Sequence, residues 1–266
     1  MKQLLILCCC ILFLIVGCKK EDGPVGPSGI LSFDLTTGKS WTYRWTFTTS
    51  DSSGTIINRS VDTIIVRIVS TNDSLGSYKG LTRFELQSII HPEKISKVWY
   101  KSVGDSLAEI AYFIQTNSLG FPKSRIQNTR TALQQPSLTS LFPKTIRELM
   151  KSKGIQDTAF LRQEIRIVYR FPLSIGKTWT SFKYPFLQTR EVIGSEILDR
   201  AGNKYQCAKI QTRLPEFGPN IEWFDYVAKE GLIERQVKHD SLAITTADSP
   251  EIKGYGHANE LLELIQ

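Results

Sequence analysis

The chain has 266 residues and carries 33 lysines and arginines against 26 acidic residues, for a formal net charge of +7. This length is enough for one large domain or two small ones with a real hydrophobic core. The sequence lacks a P-loop, a dinucleotide fingerprint and a Gly-x-Ser-x-Gly elbow. Its three histidines stand in no metal-binding spacing, so we predict no catalytic residue, no metal site and no cofactor.

The first seventeen residues, Met1 to Gly17, are typical of a secretory signal peptide. Lys2 supplies a positive start, and an apolar stretch of thirteen residues follows from Leu4 to Val16. A helix needs about 20 apolar residues to span a bilayer. We therefore predict that residues 1–17 are removed as a signal peptide.

A cysteine ends this stretch in a specific context. The residues Ile15-Val16-Gly17-Cys18 resemble the lipobox of bacterial lipoproteins. The resemblance implies that Cys18 becomes the mature N-terminus and carries a diacylglyceryl thioether and an N-acyl chain, with fatty acids such as palmitate. Two or more acyl chains hold a protein stably on a membrane, whereas one does not. The alternatives are an ordinary cleaved signal peptide and a buried strand, and the charges that follow Cys18 argue against the strand.

Residues 18–32 are a predicted lipidated, flexible tether. The run from Lys19 to Gly29 is rich in charge, glycine and proline, so it cannot bury enough surface to fold. Lys19 is not the aspartate that retains lipoproteins in the inner membrane of enteric bacteria, so we expect the outer membrane. Lys20-Glu21-Asp22 resembles the surface-export signal of Bacteroidota lipoproteins, and a merely solvating linker is an equal alternative. The membrane face therefore stays open.

One cysteine remains in the folded part of the chain. Cys8, Cys9 and Cys10 leave with the signal and Cys18 is acylated, so Cys207 stands alone. Neither an intrachain disulfide nor a cysteine-based zinc site can form. Cys207 lies in an alternating apolar stretch, which predicts a small buried side chain and not a nucleophile.

Two ten-residue segments repeat each other 138 positions apart. Phe33 to Thr42 and Phe171 to Thr180 align without a gap and share six identities. We interpret them as an internal duplication in which a glycine permits a tight turn and Trp41 or Trp179 then begins a strand. We expect these tryptophans to anchor the fold, with ligand stacking as the alternative.

Strand patterns dominate both sides of the middle of the chain. In the first part, residues 33–116, the predicted strands are Trp41–Thr48, Val61–Ser70, Tyr78–Ile90, Ile95–Val103 and Leu107–Gln115. In the second part, residues 171–266, they are Lys177–Tyr184, Gln188–Leu198, Lys204–Leu214, Asn220–Ala228, Gly231–Val237 and the tail Asn259–Gln266. For the tail we favour a strand over a short helix. Short connections between consecutive strands predict antiparallel meanders.

The inserted segment, residues 117–170, has ten basic residues against three acidic ones and so carries the whole net charge. Pro143 to Lys153 predicts a short helix, because proline stands first, good helix formers follow and a glycine comes next. Lys144, Arg147 and Lys151 share one face of that helix, and we take them as candidate ligands for anionic lipid head groups. The alternative is a helix that covers a sheet end with its charges solvated. Residues 159–171 return to a strand pattern.

The best carboxylate cluster is Glu216, Glu222 and Asp225, interleaved with aromatic residues around Trp223. Carboxylates beside aromatic rings suit sugar recognition, and paired carboxylates suit glycoside hydrolysis. Strand alternation, however, puts Glu222 on one face and Trp223 and Asp225 on the other. The matching segment of the first part keeps Trp99 without the acids, which favours a role in the fold. We retain Trp223, Asp225 and Glu222 as candidate glycan-binding residues.

These observations predict a mainly β protein. Its antiparallel meanders form two related lobes, residues 33–116 and 171–266, or one curved sheet, with a short helix in the insertion. The outline is similar to β-rich envelope lipoproteins of Bacteroidota, which often open with a Gly-Lys/Asn-x-Trp-x-Tyr strand, here Gly38 to Tyr43. In architecture alone it also resembles the half-barrels of the LolA and LolB lipoprotein carriers.

The resemblances imply a non-catalytic module of the cell envelope. We expect an outer-membrane lipoprotein, attached through Cys18, that binds a lipid-like or polyanionic ligand or an envelope protein through a concave sheet and the basic insertion. The alternative is a surface glycan-binding or glycan-cleaving accessory protein. A purely structural role in an envelope complex is a third hypothesis. No nucleic acid partner is expected outside the inner membrane.

Overall fold

The computed structural model describes residues 29–93, 95–113, 160–183, 187–215, 219–246 and 249–266. In these ranges the chain forms twelve strands and no helix long and apolar enough to cross a membrane. Cys18, the helix predicted over Pro143 to Lys153 and its Lys144, Arg147 and Lys151 lie outside the described residues. The predictions for them stay predictions.

The strands in chain order are β1 Ser40–Asp51, β2 Ile56–Leu75, β3 Tyr78–Ser88, β4 Ile95–Val103, β5 Ser106–Phe113, β6 Phe160–Arg170, β7 Thr178–Phe182, β8 Gln188–Arg200, β9 Asn203–Arg213, β10 Ile221–Ala228, β11 Gly231–Thr246 and β12 Ser249–Leu264. The predicted antiparallel β fold is confirmed. Strands β11 and β12 extend beyond the predicted segments, because shifts in their register beyond His239 break the alternation that marks a strand in the sequence.

All twelve strands belong to one sheet in the order β6-β5-β4-β3-β2-β1-β12-β11-β10-β9-β8-β7. Each half of the chain is a meander, and the halves join where β1 pairs with β12, from Tyr43 opposite Leu264 to Asp51 opposite Gly256. Of the two predicted arrangements, the structure has the single curved sheet. The proposed boundaries at residues 116 and 170 remain predictions.

The two edge strands, β6 and β7, come together and make the sheet nearly closed and barrel-like. Trp179 Nε1 and Ser181 Oγ on β7 donate hydrogen bonds to the Ile167 carbonyl on β6, at 3.2 and 2.8 Å. Nearby, Ile30 forms an isolated antiparallel bridge with Leu173. We call the contact between β6 and β7 the seam. Side-chain hydrogen bonds join these two strands, whereas backbone hydrogen bonds join the other neighbouring strands of the sheet.

The duplicated signature has the same backbone structure in both places. Gly38 N donates to the Ile68 carbonyl and Gly176 N donates to the Val192 carbonyl, each at 2.8 Å. Both glycines have positive φ angles, 89° and 85°, which a residue with a side chain adopts only under strain. By this repeat, β1 and β2 of the first half are equivalent to β7 and β8 of the second half.

The tryptophans of the signature are buried and their polar atoms are satisfied. Trp41 is 8% exposed and donates from Nε1 to the Glu230 carbonyl at 3.0 Å, and Trp179 is 6% exposed. Both indoles therefore bond to a backbone carbonyl of a distant strand or turn. This is the geometry expected of residues that anchor the fold.

Alternation along β1 builds one wall of the interior entirely from aromatic rings. Trp41, Tyr43, Trp45 and Phe47 all point inward and are all less than 9% exposed, while Arg44 between them is exposed. Burying each such side chain stabilises the fold by roughly 1.5–3 kcal/mol.

Candidate functional site

The nearly closed sheet forms a partly open cavity of about 130 Å³. Most of its lining is aromatic or aliphatic and comes from both halves of the chain. The aromatic lining residues are Phe33, Trp41, Tyr43, Phe84, Tyr100, Tyr169 and Trp223. An engineered apolar cavity of about 150 Å³ in another protein binds benzene, so this space suits one ring or a short alkyl chain.

The segment that follows the predicted tether forms part of the cavity. Phe33 and Leu35, which precede β1, are half-buried and line it. The Phe33 ring packs edge-on against Tyr169 and Phe171, with centroids 5.0 and 5.1 Å apart. The cavity therefore lies at the end of the sheet where the N-terminal segment enters the fold.

A buried carboxylate lies beside the cavity. Asp225 on β10 is fully buried and accepts hydrogen bonds from four donors. Arg235 donates from Nε at 2.6 Å and from Nη2 at 3.0 Å, Trp223 donates from Nε1 at 3.0 Å, and Arg190 donates from Nη2. Burial alone would raise the pKa of Asp225, but the guanidiniums of Arg235 and Arg190 outweigh it and hold that pKa far below its usual range.

Arg190 links this carboxylate to the seam of the sheet. From β8, its Nη1 donates to the Val168 carbonyl on β6 at 2.5 Å and its Nε donates to Thr212 Oγ1 on β9 at 3.1 Å. Its guanidinium also stacks over Tyr169, at 5.2 Å from the ring centroid. One fully buried side chain thus joins four strands, including an edge strand of the opposite half.

A second ion pair lines the cavity on the other side. Arg166 on β6 donates from Nη1 to Glu109 Oε2 on β5 at 3.1 Å, and both side chains are buried. Tyr100 lies in the same wall, and its pKa is raised by burial and by the negative charge of Glu109. Apolar surface and buried charge therefore meet in one small space.

Glu260 on β12 is a buried acid without a salt-bridge partner within the described ranges. It accepts a hydrogen bond from Trp45 Nε1 at 2.9 Å, while its other carboxylate oxygen, Oε2, has no partner there. Burial raises the pKa of Glu260 to about 7, against the opposing influence of the Trp45 hydrogen bond and the charge of Arg235. Its charge therefore changes near neutral pH.

The structure brings together two of the three candidate residues on β10. Trp223 is 1% exposed and bonded to Asp225, whereas Glu222 is exposed on the outer face, 4.0 Å from Lys238. Glu216 lies outside the described residues. A glycan site built on this strand needs an exposed cleft that holds all three, and that geometry is absent from β10.

Of the charged residues in the interior, Asp225 was a candidate from the sequence, whereas Arg190, Arg235, Glu109 and Glu260 were not. The sequence does indicate that some of these side chains are buried, because residues two apart in a strand point to the same face. Arg235 shares a face with the buried Ile233 and Val237, and Glu260 shares one with Leu262. A charged residue on the apolar face of a strand indicates a buried partner of opposite charge or a buried hydrogen-bond partner. Which partner it has depends on long-range pairing that no local pattern encodes.

Metal and thiol chemistry find no support in the described part of the chain. No group of three or more histidine, cysteine, aspartate or glutamate side chains there could hold a metal ion. Cys207 is a free, fully buried cysteine, and burial raises the pKa of its thiol to about 12. It therefore has the environment of a small apolar core residue.

Comparison with known proteins adds one distant match. No protein-family model matches the chain, and no curated protein matches it. One solved structure that is similar is described as that of "a putative lipoprotein from Parabacteroides distasonis ATCC 8503". It has 13% sequence identity and a TM-score of 0.31, and the alignment covers 88% of this chain and 96% of that one. At this TM-score the match carries no argument about function.

We expect Asp225→Asn to destabilise the fold by about 3–5 kcal/mol, because it leaves Arg190 and Arg235 buried without their counter-charge. Urea unfolding followed by tryptophan fluorescence measures the change. Asp199→Asn makes the same substitution at an exposed strand end and should stay within about 0.5 kcal/mol of the wild type. Equal midpoints for the two variants would contradict the proposed role of the carboxylate.

Glu260 should make stability fall as the pH rises. The pKa of Glu260 is about 7 in the folded state against an ordinary value of 4.5, so ionisation above about pH 7 costs the folded state about 3 kcal/mol. Below about pH 4 the acid is protonated in both states and the cost vanishes. Glu260→Gln should therefore exceed the wild type in unfolding free energy at about pH 8 but not at about pH 4. The exposed Glu222→Gln is the matched control, and a pH-independent difference for Glu260→Gln would refute the assignment.

Proposed function

We propose that the protein is a lipid-anchored lipoprotein of the outer membrane that binds a small lipid-like ligand inside its sheet, without catalysis. The observation that carries the proposal is the aromatic-lined cavity of about 130 Å³. A core whose only role is structural packs to the density of an organic crystal and leaves few voids larger than a water molecule. A concave space with a mostly apolar lining and a few buried polar groups is typical of a binding site.

The position of the cavity agrees with attachment through Cys18. The lipobox resemblance and the signal peptide support the anchor, and the charged tether that follows leads to the segment that contributes Phe33 and Leu35 to the cavity lining. The outer membrane and the choice of face rest on the sequence alone.

The ionisable groups of the cavity favour binding over catalysis. Asp225 is held in its charged form by two arginines and Glu109 is paired with Arg166, so both are committed to structural contacts. A general acid or base needs a pKa near the working pH and access to the substrate. Glu260 has such a pKa, but it is not among the residues that line the cavity.

The other hypotheses draw less support from the described residues. A polyanionic ligand on Lys144, Arg147 and Lys151 depends on the insertion, outside those residues. A glycan partner depends on exposed side chains on β10, where Trp223 and Asp225 are buried. An envelope protein as partner has no specific observation in its favour.

A cavity-filling substitution tests the proposal. Val98 on β4 is 1% exposed and lines the cavity, so Val98→Phe should fill part of it. We expect 1-hexanol, a soluble chain of suitable size, to change the fluorescence of Trp41 and Trp223 in the mature chain carrying Cys18→Ser. Val98→Phe should weaken that binding at least about tenfold, which corresponds to about 1.4 kcal/mol.

Val103→Phe is the control, because it makes the same change on the same strand at an exposed position. It should bind 1-hexanol as the parent chain does. Saturable binding that survives Val98→Phe would place the ligand elsewhere. A parent chain that does not bind 1-hexanol or hexanoate would overturn the proposal.

The anchor has its own test. Cells that express the full chain and grow with radiolabelled palmitate should incorporate label into the protein, and Cys18→Ser should abolish the incorporation. Cys207→Ser is the control, since Cys207 is buried and should accept no acyl chain. Label that persists in the Cys18→Ser chain would show that the lipobox resemblance is misleading.

A further inference from the structure

We infer that the ligand of the cavity carries a single negative charge, as a small carboxylate with an apolar chain or ring does, and that this charge binds Nη1 of Arg235. The inference rests on the proposed function and names the chemical class of its ligand. Three observations carry it: the balance of buried charges, the unused donors of Arg235, and the position of that side chain in the cavity wall.

Among the described residues, the buried charges around Asp225 do not cancel. Asp225 faces two guanidiniums, those of Arg190 and Arg235, so this cluster has one positive charge in excess. Within the described ranges, Glu109 and Arg166 contribute one charge of each sign. Buried charges are normally compensated, because leaving one unpaired in a low-dielectric interior is costly. A monoanion in the cavity completes the balance, whereas a neutral ligand leaves the excess and a dianion reverses it.

Arg235 has the donors for this contact. Its hydrogen bonds to Asp225 use Nε and Nη2, and within the described part of the chain Nη1 has no partner. The side chain is 9% exposed and Arg235 belongs to the cavity lining, so its buried charge adjoins the apolar space. A guanidinium fixed by a bidentate contact on one edge keeps a preorganised donor pair on another edge.

Glu260 on β12 also influences Arg235 electrostatically. Below neutral pH it is mostly protonated and does not supply the missing charge. A ligand carboxylate keeps its charge at such a pH, because an ordinary carboxyl group has a pKa near about 4. About pH 6 is therefore the condition in which the excess charge is best available to a ligand.

The test compares three probes with the same six-carbon chain: hexanoate, 1-hexanol and hexylammonium. Each is titrated at about pH 6 into the mature chain carrying Cys18→Ser, with tryptophan fluorescence as the readout. We expect hexanoate to bind at least about tenfold more tightly than 1-hexanol, and hexylammonium to bind least. A purely apolar cavity would give the opposite order for the first two, because burying a carboxylate without a partner is unfavourable.

Arg235→Lys tests the contact itself. It keeps a positive charge beside Asp225 but removes Nη1, so hexanoate should fall to the affinity of 1-hexanol while 1-hexanol binding is preserved. Retained 1-hexanol binding also shows that the variant is folded. Arg44→Lys, at an exposed position on β1, is the control and should leave the order of the probes unchanged.

The outcomes separate the two proposals. If 1-hexanol binds as tightly as hexanoate in the parent chain, the inference about charge fails and the proposed lipid-binding function stands. If none of the three probes binds, the proposed function fails and the inference falls with it. If Arg235→Lys does not fold, the order of the probes in the parent chain still decides the inference.

Discussion

The closed form of this sheet depends on a carboxylate held between two arginines. Asp225 draws Arg190 and Arg235 into the interior, and Arg190 then reaches across the seam to the Val168 carbonyl on β6. Each guanidinium needs the carboxylate because an unpaired buried charge costs several kcal/mol. The cluster therefore acts as one unit, and it ties β8 to the edge strand β6 beside the contacts that Trp179 and Ser181 make from β7.

The seam exists because the internal repeat is imperfect at one point. In the first half β1 pairs with β2 on one side and with β12 on the other. The pairing of β1 with β12 has nine opposed residue pairs. Its counterpart β7 pairs with β8 only, and it meets β6 through Trp179 and Ser181. A full ladder there would close the sheet completely. At the seam, side-chain packing and not backbone pairing therefore determines the distance between β6 and β7.

The sequence predicts the strands and their antiparallel order within each half of the chain. It does not predict the charged interior. Alternation over Trp41 to Phe47 and the duplicated glycine and tryptophan positions report on local structure, so they predicted strands and their equivalence. Asp225 was noticed as an acid among aromatic rings, a setting that suits sugar binding equally well. The partners of Asp225 are Arg190 and Arg235, which lie 35 and 10 residues away in the sequence. Only the folded sheet shows that these side chains share one buried space.

The buried charges themselves argue for a role beyond stability. Apolar residues of similar volume often stabilise a core as well as a buried ion pair does, or better, because they avoid the desolvation of two charges. This interior instead keeps three arginines, Arg166, Arg190 and Arg235, next to an aromatic-lined space. Fixed guanidiniums in a place of low dielectric bind an anion strongly and orient it, while the rings accept its apolar part. A fold that retains such a costly arrangement has a cavity suited to amphipathic molecules more than to purely apolar ones.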